Sequence, residues 1–202
     1  MTNKIIRRME HLLFAGCFVC LALFTWTAGE RAWFQRLYLQ ALRDAGDPDA
    51  TPGLYNAAVS RPGPLGRIEI SRASINAAIL DGVDAGTLDR AVGHVPGTAY
   101  PGEANGRIAL AAHRDSFFRN LGVLEKGDTI LLETGKRVRE YQVESTRVVK
   151  PDQTEVLAPT RDSWLTLITC YPFGYLGSAP DRFIVNARLV PEAAANRKFE
   201  DP

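Results

Sequence analysis

The sequence has almost no excess charge and few cysteines, and it contains no internal repeat. Its 24 Lys and Arg residues balance 23 Asp and Glu residues, so the formal net charge is +1 at pH 7. Without a basic excess the chain has no general attraction for polyanions, and nucleic acid is not expected as a partner. Only three cysteines are present, two of them close together near the N-terminus, which excludes a disulfide framework.

The remaining composition is that of a globular protein. The chain has 202 residues, of which 46% are hydrophobic and 23% are charged. Both values are close to globular averages, and the 17 Gly and 12 Pro residues are too few for a low-complexity chain. This length fits one folded domain.

Charge is missing altogether from residues 12–29, which follow a short N-terminus of residues 1–11. As a helix this run is about 27 Å long, near the thickness of the bilayer hydrocarbon core. It predicts one retained membrane anchor. A signal peptide cleaved before Gly29 and a lipoprotein site at Cys17 are the alternatives. The run exceeds a usual signal core of roughly 7–15 residues, and the segment before Cys17 is too short.

Residues 30–66 are predicted to connect the anchor to the folded domain. Trp33, Phe34 and Leu37 recur at helical spacing, so the helix should continue outward and end near Asp44. The stretch that follows is rich in Pro and Gly and has no sustained periodicity, which is typical of a linker. The folded domain is then residues 67–202.

Short β-type runs dominate this domain, with brief helices over Ala85–Val92 and around Ser116–Leu124. Several short strands predict a mostly β barrel or sandwich. Seven runs are recognisable: RIEI (67–70), INAAIL (75–80), RIALAA (107–112), TILLE (129–133), YQVESTRVV (141–149), WLTLITC (164–170) and RFIVNARLV (182–190).

Three residues at strand ends could carry chemistry together. Cys170 ends a strand before a Pro- and Gly-rich loop, His113 ends another strand, and Arg182 opens the last one. Each alone is more often structural. Together they supply a nucleophile, a proton carrier and a cation for an oxyanion, as covalent acyl transfer requires. A cysteine protease, a transpeptidase and an accidental cluster are all compatible with this order.

The local motifs resemble those of sortases. TLITC (166–170) with Arg182 downstream, and AHRD (112–115) upstream, are similar to the TLxTC…R and His-Arg motifs of that family. The resemblance covers residues 88–133 and 165–190 and is greatest to class D. One departure is Ala112, where the family usually has Gly.

The resemblance implies a closed eight-stranded β-barrel preceded by one transmembrane helix. The eighth strand is then expected around Ala91–Gly102 or Val156–Leu157. It also implies an extracytoplasmic transpeptidase that cuts an LPxTG-like sorting signal after Thr and transfers the protein to an amine, such as that of a peptidoglycan precursor. Cys170, His113 and Arg182 would be nucleophile, proton donor and oxyanion partner. Thr169, next to the nucleophile, is expected to bond to Arg182 or to the substrate, with a purely structural role as the alternative.

No cofactor or metal site is expected, while a need for calcium stays open. Four nearby carboxylates are its candidate ligands: Glu103, Asp115, Glu125 and Asp128.

Other activities remain as alternatives. Water could resolve the thioester, which would make the chain an endopeptidase. A non-catalytic peptide-binding barrel is another alternative, but such a barrel would have no need for Cys170, His113 and Arg182 together. An L,D-transpeptidase would carry Ser/Thr-His-Gly-Cys-x-Arg around its nucleophile, and TLITCYP lacks that pattern.

Overall fold

The computed structural model describes residues 2–44, 63–135, 137–175 and 177–191. A long helix, α1 (Thr2–Asp44), precedes the strands, and a short helix, α2 (Ala85–Leu88), follows the second strand. Three 3-10 turns lie at Ser71–Ala73, Leu121–Val123 and Thr154–Leu157. The strands are β1 (Gly66–Ile70), β2 (Ile75–Asp81), β3 (Val92–His94), β4 (Arg107–Ala111), β5 (Thr129–Thr134), β6 (Arg137–Val149), β7 (Trp164–Tyr171) and β8 (Asp181–Leu189).

These eight strands close into one barrel in the order β1-β2-β3-β4-β7-β8-β6-β5. The pairs β2/β3 and β4/β7 are parallel, and the others are antiparallel. The eight-stranded barrel is therefore confirmed. The strand missing from the sequence-based count is β3, which lies inside the expected window 91–102. The other window, Val156–Leu157, belongs to a 3-10 turn.

Apolar side chains from the strands fill the barrel. Removing them from water is the main stabilising term, at about 25 cal/mol per Å² of apolar surface. The largest fully buried side chains are Tyr141, Phe118, Ile68, Ile70, Ile79, Ile108, Leu110, Leu121, Ile130, Leu132, Leu165 and Leu167.

Of the two short helices predicted within the barrel domain, the first is shorter in the structure and the second is not an α-helix. The first ends at Leu88, because the chain must extend by Val92 to pair with Ile79 of β2. Its start is fixed by Asp84, whose carboxylate accepts hydrogen bonds from the backbone N–H and hydroxyl of Thr87. Residues 116–124 form turns and one 3-10 turn instead of an α-helix.

Helix α1 contacts the barrel through Gln35. The side-chain carbonyl of Gln35 accepts a hydrogen bond from Ala78 N at 3.0 Å, and its amide donates to Arg90 O at 2.5 Å. The Arg90 guanidinium also lies 5.1 Å from the centre of the Phe34 ring. The part of α1 around Gln35 is thus joined to β2 and to the segment that follows α2.

A membrane span is not identified in α1. Among the helical residues that the structure describes, none form a stretch that meets the length and hydropathy required to cross a bilayer. The linker predicted after α1 falls largely on residues 45–62, which lie outside the described ranges.

His94 forms a buried polar cluster beside β3. Its ring is fully buried, with Nδ1 3.0 Å from Asp81 Oδ1 and Nε2 3.1 Å from Ala99 O. The Tyr100 hydroxyl donates to the other Asp81 oxygen at 3.3 Å, and the negative charge of Asp81 raises the pKa of Tyr100. His94 therefore joins β2 to the loop between β3 and β4.

We expect His94→Leu to lower the free energy of unfolding by about 1–3 kcal/mol, because it leaves the Ala99 carbonyl without its ring partner. Urea denaturation followed by circular dichroism measures the change. Tyr100→Phe is the control, because it removes a single hydrogen bond at an exposed residue. Equal stability of His94→Leu and the unsubstituted chain would contradict this role.

Candidate active site

The parallel pairing of β4 and β7 places His113 beside Cys170. Ala111 is level with Ile168 in the register, and Ala112 N donates to Ile168 O at 3.2 Å. Continued by two residues, this register brings His113 level with Cys170. The predicted proton carrier and nucleophile thus lie side by side, because β4 and β7 are adjacent and end at the same edge of the barrel.

The antiparallel pairing of β7 and β8 places Arg182 on the other side of the cysteine. Cys170 and Arg182 are direct partners in this register. Residues opposite each other on antiparallel strands point to the same face, with Cβ atoms about 4.5–5.5 Å apart. Cys170 therefore lies between the histidine and the arginine in a row across three strands.

All three residues line one cleft of about 310 Å³. One wall of the cleft is the segment that begins at His113, and the other is the loop before β8. Between these walls lie Cys170 of β7 and Arg182 of β8. The full lining is His113, Arg114, Asp115, Cys170, Gly177, Ser178, Ala179 and Arg182.

Backbone carbonyls hold the Arg182 guanidinium. Its Nη1 donates to Asp181 O at 2.9 Å and to Ala179 O at 3.3 Å. Neither acceptor carries a full charge, so the guanidinium keeps its positive charge available to an anion that forms in the cleft. The loop before β8 thus decides where this cation lies.

His113 and Cys170 are both reachable from the cleft. Cys170 is a half-buried free thiol, and the His113 side chain is 40% exposed. His113 Nε2 lies 3.7 Å from Asp89 Oδ1, and Asp89 is 56% exposed. Ion pairs this exposed contribute little free energy, so Asp89 is a neighbour of the site and not a strong orienting partner.

Thr169 faces away from the cleft. Neighbouring strand residues point to opposite faces, so Thr169 and Cys170 diverge. Thr169 is buried, and its hydroxyl donates to Ala112 O at 2.8 Å. Thr169 therefore joins β7 to the residue before His113, and its role as a substrate contact stays a prediction.

A half-buried arginine lies on the cysteine-bearing face of β7, further from the strand end. Arg107 donates to Thr166 Oγ1 at 2.7 Å, to Asn186 Oδ1 at 3.1 Å and to Ala158 O at 2.9 Å. Burial lowers the pKa of Arg107. Through Ala158 it holds the connection between β6 and β7 against the outer face of the barrel.

Sequence reasoning missed the role of Arg114, which reaches across to the loop after β7. Its position directly after His113 in the AHRD motif was the only signal available. Its contacts depend on how two loops far apart in sequence meet, and residue spacing does not encode that.

The carboxylates considered for calcium do not form a cluster. Glu125 and Asp128 both pair with Arg72, at 2.9 and 3.3 Å. Within the described ranges, no group of three or more His, Cys, Asp and Glu side chains is arranged to hold a metal ion.

Chemically, the cleft combines a thiol, an imidazole and a fixed cation around one open space. A thiolate can attack a carbonyl carbon, an imidazole can carry the proton to a leaving amine, and a guanidinium can stabilise the oxyanion. The predicted grouping of Cys170, His113 and Arg182 in one cleft matches what covalent acyl transfer requires.

Comparison with known proteins gives a consistent result. The family model described as the sortase domain matches residues 68–190. Sortase D of Bacillus subtilis (strain 168) is 39% identical over 126 residues, which cover 62% of this chain and 63% of that protein. The matched region thus spans less than two thirds of that relative's length.

Solved structures of sortases share the barrel. The sortase D5 transpeptidase of Clostridium perfringens matches with a TM-score of 0.65 and 26% identity, covering 78% of this chain and 99% of the other. Sortase C-1 of Actinomyces oris matches with a TM-score of 0.60 and 30% identity, covering 72% and 85%.

Proposed function

The chain belongs to the sortase family, and we propose that it is a membrane-anchored cysteine transpeptidase of the cell envelope. It would cleave an LPxTG-like sorting signal after Thr and transfer the protein to an amine acceptor. The observation that supports this most directly is the row of His113, Cys170 and Arg182 on neighbouring strands around one cleft.

In the proposed first step, the thiol of Cys170 gives its proton to His113, and its sulfur attacks the carbonyl carbon of the substrate Thr. The S–C bond forms as the carbonyl π bond becomes an oxyanion, which Arg182 stabilises. The C–N bond then breaks, and His113 gives its proton to the leaving amine. The product is a thioester between the substrate and Cys170, and no cofactor is needed.

In the second step, an incoming amine reaches the thioester from the side of His113. His113 takes a proton from the amine, and the new C–N bond forms. The C–S bond then breaks as His113 returns the proton to the sulfur of Cys170. The acceptor in the envelope would be an amine such as that of a peptidoglycan precursor. Because the His113 side chain is 40% exposed, water can reach the same thioester, so hydrolysis is the near alternative.

The proposed anchor is the part of α1 formed by residues 12–29. The large apolar side chains described between Leu12 and Trp26 are exposed. No Asp, Glu, Lys or Arg occurs in this run. A bilayer would remove this apolar surface from water. With the N-terminus in the cytoplasm, the barrel would lie on the extracytoplasmic side.

A peptide library tests the proposed activity as a whole. Peptides of the LPxTx and LAxTx types are incubated with the full chain in detergent, with and without an added amine, and the products are identified by mass spectrometry. A cut after Thr, with the amine joined to the Thr carbonyl, is expected. No cut in any peptide would contradict the proposal, and a cut without amine transfer would make the chain an endopeptidase.

Cys170→Ala is expected to abolish both cleavage and transfer, because the thioester cannot form without the thiol. Intact-mass measurement should show the acyl-enzyme only in the unsubstituted chain. The control is the Cys17→Ala, Cys20→Ala double variant, which keeps the nucleophile. Normal turnover by folded Cys170→Ala would exclude the cysteine mechanism, whereas loss of folding would indicate a buried structural thiol.

Arg182→Lys is expected to lower kcat on the order of 10²-fold and to change KM much less. Lysine keeps the charge but lacks the planar set of donors, and the oxyanion arises only along the reaction path. Steady-state kinetics with one LPxTx peptide measure both constants. Arg188→Lys is the control, because Arg188 lies on the same strand and pairs with Asp162 instead. A large rise in KM with unchanged kcat would mean that Arg182 anchors the substrate.

The anchor predicts that the full chain stays in membranes after alkaline carbonate washing, and that a chain starting at residue 46 does not. The physical reason is the apolar surface of residues 12–29, which carries no charge. Protease treatment of spheroplasts should degrade the barrel from outside, while a cytoplasmic control protein survives. A mature N-terminus near Gly29 would exclude the anchor, and a protected barrel would reverse the orientation.

A further inference from the structure

Arg114 binds three backbone carbonyls of one loop. The loop joins β7 to β8 and comprises residues 172–180, called the β7–β8 loop here. Nη1 of Arg114 donates to Pro172 O at 3.2 Å, and Nη2 donates to Tyr175 O at 2.8 Å and to Gly177 O at 2.7 Å. The guanidinium also lies 5.8 Å from the centre of the Tyr175 ring. One side chain therefore contacts the loop near its start and towards its end.

The β7–β8 loop controls the geometry of the cleft at two places. It begins directly after the strand that carries Cys170, and its residues 177–179 form one wall of the cleft. Near its far end, Ala179 O accepts a hydrogen bond from the Arg182 guanidinium, and so does Asp181 O at the start of β8. A shift of this loop would therefore move the oxyanion partner relative to the thiol.

The opposite wall of the cleft is the segment that carries His113, and Arg114 belongs to it. An amine that His113 deprotonates must pass between these two walls. Arg114 donates hydrogen bonds from one wall to the other, so its length and its contacts help to set the width of the passage.

We propose that Arg114 is a positioning residue that clamps the β7–β8 loop to the histidine-bearing segment and so fixes His113 and Arg182 on either side of Cys170. This inference rests on the proposed transpeptidase function, which assigns those three residues their roles. Arg114 itself touches no reacting atom in the proposed steps.

Arginine suits this clamp better than lysine does. A guanidinium presents several N–H donors in one plane and can reach carbonyls on separate residues at once. A lysine ammonium is a single point on a flexible stem and cannot span Pro172, Tyr175 and Gly177 together. Charge conservation alone should therefore not restore the clamp.

The loop has a second, apolar attachment, so the fold should survive loss of the clamp. Phe173 packs against Phe183 of β8, with ring centres 5.3 Å apart. It also lies so close to Gly122 that a Cβ there would be 2.6 Å from the Phe173 ring. Without Arg114 this attachment holds the start of the loop, while Tyr175 and Gly177 lose their partner.

Kinetics of Arg114→Ala and Arg114→Lys test the proposal, with Arg119→Ala as the matched control. Arg119 is an exposed arginine of the same segment that does not line the cleft. A loop displaced by about 1 Å can cost on the order of 10²-fold in rate. We expect kcat of Arg114→Ala to fall on that order with KM within a few-fold, little rescue by Arg114→Lys, and no change in Arg119→Ala.

Limited proteolysis gives a readout that needs no substrate. Chymotrypsin cuts after Tyr175 only when this part of the loop leaves its place, and mass spectrometry identifies the fragments. Cleavage of the folded full chain should be faster in Arg114→Ala and Arg114→Lys on the order of 10-fold, and unchanged in Arg119→Ala.

The two measurements separate failure of the clamp from failure of the proposed function. If the unsubstituted chain cleaves no peptide, the proposed transpeptidase function is overturned. The clamp then has no catalytic purpose, even if proteolysis shows that Arg114 holds the loop. An active enzyme with unchanged proteolysis or unchanged kcat in Arg114→Ala would overturn the clamp. Full rescue by Arg114→Lys would mean that the charge, and not the bridge across the loop, is what matters.

Discussion

The hydrogen-bonded register of β4, β7 and β8 is the constraint on which the rest of the site depends. β7 lies between β4, to which it is parallel, and β8, to which it is antiparallel. This arrangement brings the ends of β4 and β7 and the start of β8 to one edge of the barrel. A slip of one residue would turn Cys170 towards the core and bring Thr169 into the cleft.

The sequence was sufficient to predict the strands that carry the site, because each is a continuous apolar run bounded by turn residues. It did not reveal β3, since Val92–His94 is too short to show a period, and Gly93 has no side chain to mark a face. Glycine is required there, because a Cβ would lie 2.4 Å from Gly82 O. Pairing with β2, and not intrinsic preference, makes this segment a strand.

The candidate site could be predicted as residue types but not as a geometry. Cys170, His113 and Arg182 were recognisable because acyl transfer needs those groups. Arg114 and Arg107 both use backbone carbonyls as partners, and any loop offers carbonyls, so the sequence did not show which groups either arginine would bind. Their partners lie far along the chain and become neighbours only after the barrel closes.

The two supporting arginines differ in a way that fits their positions. Arg107 donates to side chains of the adjacent strands as well as to Ala158 O, so the closed sheet itself orients it and it can hold the β6–β7 connection rigidly. Arg114 lies on a turn, and its described hydrogen bonds go only to loop carbonyls. Hydrogen bonds between two loops open at lower free energy than bonds within a closed sheet. The hydrogen bonds that join the wall beside His113 to the facing loop therefore open at lower free energy than those that hold Arg107 against the sheet.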